Sequence, residues 1–176
     1  MNPIKKIFFL LSASALLCLS QPMYAAGDDI LTESRIHQAQ LAATKKAREL
    51  GRAGTFVLVE KHGHLIASYR MHGALPSTFN FAKSKAETAV ALGIATDKLQ
   101  SALPPAILNN LTTTQGGKYV IFPGGLPVRI GKHLIAGVAF GSTIVSLDSN
   151  IPNKDTPNQD ADIQCAKAAL DVLTKH

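Results

Sequence analysis

The chain has 176 residues, a formal net charge of +6, no tryptophan and only 6% aromatic side chains. It has no block of Lys or Arg, so it lacks the clustered basic face that a phosphate backbone demands, which excludes nucleic acid as a partner. Its two cysteines, Cys18 and Cys165, are too few for a disulfide framework.

The N-terminus reads as an export leader. Lys5 and Lys6 give a basic start, Ile7 to Leu19 is apolar apart from Ser12, Ser14 and Cys18, and the stretch closes on Tyr24-Ala25-Ala26. A basic start, an apolar run and a small-residue exit are the parts of a secretory signal. The run is shorter than the roughly 20 apolar residues of a spanning helix, so no stable membrane insertion is expected after cleavage. Residues 1–25 are accordingly expected to be a signal peptide and residues 26–176 one exported domain, in the periplasm. About 150 residues remain, enough to bury a core without staples. Loss of Lys5 and Lys6 lowers the charge to about +4, and Cys165 is left without an intramolecular partner.

In the remainder, Leu31 to Leu50 predicts a helix: Thr32 can cap it, and Ile36, Ala39, Ala43, Ala47 and Leu50 recur at helical spacing. Thr55 to Glu60 and His64 to Met71 alternate as strands around a short Lys61-His62-Gly63 link and predict a hairpin. Ser77 is placed to cap a second helix running to about Leu92. A shorter helix is expected from Thr96-Asp97 to the Pro104-Pro105 break, and another from Ala106 to Leu111. Three strands are then expected, Tyr119 to Phe122, Leu126 to Ile130 and His133 to Gly141. A polar loop rich in proline and asparagine follows Asp148. From Asp160 a last helix carries Ile163, Ala166, Leu170 and Leu173 on one face. Such segregated runs predict an α+β domain, a five-stranded antiparallel sheet flanked by helices.

Four segments carry a resemblance. Phe56 to Ala74 (FVLVEKHGHLIASYRMHGA), the helix with Ala82-Lys83-Ser84-Lys85-Ala86, the run Pro123-Gly124-Gly125-Leu126-Pro127-Val128 and the strand Ile135 to Ser142 together resemble the GlcG/HbpS family. That family includes the C-terminal domain of PduO-type proteins. The resemblance implies the same five-stranded fold, a homo-oligomer, and haem binding or haem degradation. The sequence departs from the family pattern at Glu60 and His72, where an aspartate is usual, and at His62, where the hairpin usually has glycine.

Chemistry-bearing residues fall at loop ends. Arg70 and His72 close a strand: a guanidinium suits a carboxylate or propionate, and an imidazole can move a proton or ligate haem iron. Glu60, His62 and His64 alternate as E-x-H-x-H, either a partial metal set or an exposed hairpin tip. Gly124 and Gly125 let something approach closely, either a ligand or a neighbouring element. Lys83 sits four residues before Glu87 and can pair with it, whereas Lys85, flanked by alanines, can line a pocket and hold an acidic ligand. Cys165, beside an apolar face, reads as a small buried side chain. The leading expectation is an exported small-molecule-binding protein for haem or a related tetrapyrrole. The alternatives are an oligomeric assembly subunit without a ligand, and an enzyme degrading haem or acting on a small carboxylate.

Overall fold

The computed structural model describes residues 30–142 and 158–175; the leader and the proline-asparagine loop lie outside them. Among the described residues, helix α1 spans Glu33–Glu49. Strands β1 (Gly54–Glu60) and β2 (Leu65–Arg70) and helix α2 (Ser77–Leu92) follow. Then come the short helices α3 (Leu99–Ala102) and α4 (Pro105–Thr113), strands β3 (Gly125–Ile130) and β4 (His133–Ser142), and helix α5 (Asn158–Thr174). The strands form one antiparallel sheet in the order β2-β1-β4-β3.

The described sheet therefore has four strands rather than the expected five, and the missing one is Tyr119 to Phe122. Its residues have strong strand propensity, but propensity needs a partner edge. The Val120 N–H instead donates to the Thr88 hydroxyl on α2 at 3.0 Å. Pro123 and Gly124 then separate the segment from β3. A second difference is local. Ser77 does not cap α2; it is the first helical residue, preceded by Pro76. Thr32 does cap α1, accepting from the Arg35 N–H.

The sheet is covered on both faces, and the alternation along β1 divides the core. Phe56 and Leu58 point toward α1 and α5, where they meet Val138, Phe140, Cys165, Ala169 and Leu173. Val57 and Val59 point the other way, onto Ala82, Ala86 and Val90 of α2. A strand with both faces buried reads as an unbroken apolar run, as TFVLV does. The α1 contribution is almost wholly alanine, with Ala39, Ala43 and Ala47 buried. Such small side chains let α1 and α5 lie close together. β2 is different. It is an edge strand, and Leu65, Ile66 and Tyr69 remain exposed along it.

No helix among the described residues is long and apolar enough to cross a membrane.

Candidate functional site

Two places gather the residues singled out from the sequence. The first lies at the start of β3. Gly125 runs so close to α2 that a Cβ there would stand 2.3 Å from the Lys85 carbonyl oxygen. Gly124, at φ +112°, faces the other layer, and a Cβ there would come within 2.7 Å of the Asp162 Cβ. Only glycine satisfies both the positive φ and the clearance. Thr96, fully buried, accepts the Gly125 N–H at 2.9 Å and so anchors the start of the strand.

The absent side chains let an ion pair form between the two helical layers. The Lys85 ammonium on α2 meets the Asp162 carboxylate on α5 at 2.5 Å, with side chains only 6% and 5% exposed. The other Asp162 oxygen accepts the Ser142 N–H at 2.9 Å, and the Phe140 carbonyl lies 3.4 Å from the ammonium. A buried charge pair holds better when its remaining lone pairs and protons find partners, and Phe140 and Ser142 supply one to each side here. Lys85 thus has an acidic partner within its own chain. The flanking alanines marked Lys85 as sheltered but did not point to Asp162 as its partner. Its signal was a carboxylate one residue from Ile163 on the apolar side of the last helix.

The second place is the outer end of β2. Arg70 pairs with Thr55 across the ladder, and its Nη1 donates to the Ala74 carbonyl at 2.6 Å, closing the loop that carries His72. Arg70 and His72 are both exposed. They lie on the β2 edge, whereas Gly125 lies on the opposite edge with β1 and β4 between. Three strand spacings amount to about 14 Å. The fold therefore brings Lys85, Gly124 and Gly125 together and leaves Arg70 and His72 as a separate pair.

His62 and His64 stand exposed at the hairpin, where the Glu60 carboxylate accepts the His64 N–H at 3.1 Å. Burial pushes the Glu60 carboxyl upward. Donation from the His62 and His64 backbone, with a smaller contribution from their charge, outweighs it and holds the group below its ordinary range. Among the described residues no three His, Cys, Asp or Glu side chains converge as a metal set. Cys165 is buried beside Asp162; desolvation first, and that carboxylate second, push its thiol up to about 12. It is a packing residue at neutral pH. The expected Lys83–Glu87 pair forms at 2.6 Å.

An open hollow of about 340 Å³ lies elsewhere, between α4 and the segment from Tyr119 to Pro123.

Known proteins share this sequence pattern and fold. The family described as haem degrading protein HbpS-like matches residues 31–154. A corrinoid adenosyltransferase PduO from Citrobacter freundii is 34% identical over 122 residues, 69% of this chain. The match covers 36% of that protein, so the chain spans about a third of its relative's length. Among solved structures, the PduOC:heme complex superposes with a TM-score of 0.66 at 29% identity, covering 81% of this chain and 94% of that one. HbpS gives a TM-score of 0.67 at 27% identity, covering 82% and 91%.

Proposed function

We propose that this chain, which belongs to the HbpS-like family, is an exported protein that binds haem or a related tetrapyrrole at the outer end of β2. The observation that carries the placement is the exposed pair of Arg70 and His72 at the end of a strand whose Leu65, Ile66 and Tyr69 are also exposed. These are the three things a tetrapyrrole asks of a protein: apolar surface for the ring, a nitrogen donor for the iron and a cation for a propionate. Arg70 spends one N–H on Ala74, and the rest of its fork remains for a carboxylate. Iron held there would supply the redox chemistry. This chain's residues orient the ring and hold its acids.

Support also comes from the heme complex of a structural relative covering 94% of that relative's chain. An exposed edge strand with apolar side chains gains from being covered, which fits a homo-oligomer closing over the ring. The export reading rests on the leader, Met1 to Ala25.

The test is a haemin titration of the purified chain, followed by absorption. Wild type is expected to give a saturable Soret shift, His72→Ala an altered band position, and Arg70→Ala a weaker affinity with the band unchanged. Absence of binding at micromolar haemin removes the reading. The family's description also favours a second one, haem breakdown. Loss of the Soret band on adding a reductant, with release of iron, separates turnover from plain binding.

A further inference from the structure

The segment Tyr119 to Phe122 has an amino-acid pattern suited to a strand and, among the described residues, no strand partner in the sheet. Its position is nonetheless fixed. Gly116 and Gly117, with φ of +67° and +73°, turn the chain back after α4. Val120 is then tied to Thr88 of α2 through its N–H, and Lys118 lies 4.0 Å from the Glu87 carboxylate. The hollow on the α4 side is therefore preformed by contacts that need no ligand.

One wall is apolar, made by Ile121, Phe122 and Pro123. Phe122 is 50% exposed and meets the equally exposed Phe81 edge to face, with centroids 6.4 Å apart. An aromatic lip fixed by one neighbour and otherwise wet gains free energy when a second flat surface covers it. The polar side chains of the lining, Gln100, Thr112 and Tyr119, each donate and accept. Gln100 and Tyr119 line the hollow, and the Lys118 ammonium stands 6.0 Å from the Tyr119 ring centroid. The volume of about 340 Å³ falls at the lower end of small-molecule sites, roughly 300–1,000 Å³.

We propose that this hollow is a second binding site, for a flat, largely apolar small molecule carrying one hydrogen-bond-accepting group. The wall supplies stacking and apolar contact; Tyr119 and Gln100 meet the acceptor. None of these residues belongs to the β2 edge, so the site is separate from the tetrapyrrole reading.

The probe is 1-anilinonaphthalene-8-sulfonate, whose rings and sulfonate match the two halves of the site, titrated into the full chain by fluorescence. One saturable site per chain is expected. Phe122→Ser should weaken it at least fivefold, and Tyr69→Ser, on the exposed β2 edge, should leave it unchanged. Gln100→Leu should weaken the sulfonate probe but not the uncharged N-phenyl-1-naphthylamine. Circular dichroism melts check that each variant keeps its fold, and amide shifts of residues 119–122 on probe addition to wild type provide a readout that needs no variant. Non-saturable binding, binding indifferent to Phe122→Ser, or unmoved amides at 119–122 overturns the proposal. Phe122→Ser is also expected to leave haemin binding intact; loss of both together overturns the separate site.

Discussion

Asp162→Ala removes the partner of an ammonium that cannot reach water. Lys85 is held beneath β3 by the packing of Gly125 against its own carbonyl, and its side chain is 6% exposed. Deleting one member of a buried ion pair costs about 3–5 kcal/mol, because the survivor keeps its desolvation penalty without its attraction. The half-buried Ser142 N–H loses its acceptor too, which adds up to about 1 kcal/mol. For a domain of this size roughly 2–4 °C accompanies each kcal/mol, so the melting temperature should fall by about 10 °C or more. Urea unfolding followed by circular dichroism measures the loss. The double variant Lys85→Met with Asp162→Leu removes both charges together. It should recover most of the stability, since an apolar pair leaves no charge uncompensated and only the Ser142 N–H without its acceptor. A cycle of the four proteins should give a coupling energy of at least about 2 kcal/mol. A loss below about 1 kcal/mol for Asp162→Ala, or additive single variants, would refute the argument. Either result would mean that Lys85 reaches solvent once its partner is gone.

Gly125→Ala should destabilise by at least about 2 kcal/mol in the same assay, because the added methyl meets backbone of α2 rather than a side chain that can swing away. In a Cys18→Ser background, Cys165 should resist a disulfide reagent at pH 8 and react only as the chain unfolds. Its pH dependence follows from a thiol raised in the fold to about 12. The contribution is complete below the unfolded value near 9 and disappears as the pH climbs through 12, since the unfolded thiol ionises first. Unfolding free energies measured between pH 8 and 11 should therefore decline, and Cys165→Ala should flatten that slope. A slope that survives the substitution would assign it to other groups.

The periodic elements were legible because their burial is one-sided or complete. The alanines of α1 and the unbroken TFVLV of β1 carried their environment in their own pattern. The hairpin was legible from its short glycine-bearing link. Tyr119 to Phe122 was not, because strand propensity describes a surface that fits a sheet and says nothing of whether an edge is within reach. Here the Thr88 hydroxyl, 32 positions earlier, took the hydrogen bond a ladder would have used. The diglycine was legible as a point of close approach, with its occupant open between a ligand and a neighbouring element; the structure fills it with Lys85 and Asp162. That pair spans 77 positions, and no local pattern joins residues so far apart. Arg70 and His72 were visible as loop-end residues, but their separation from Gly125 follows only from the strand order.

The diglycine notch also governs when the molecule can finish folding. The carboxylate that settles Lys85 arrives on the C-terminal helix, together with Leu173, which completes one half of the interior. A growing chain that has made everything up to Ser142 still holds a cation with no counterpart and an apolar sheet face with half its cover. Closure must therefore wait for the seventeen-residue helix α5, which brings the counter-charge and the remaining cover together.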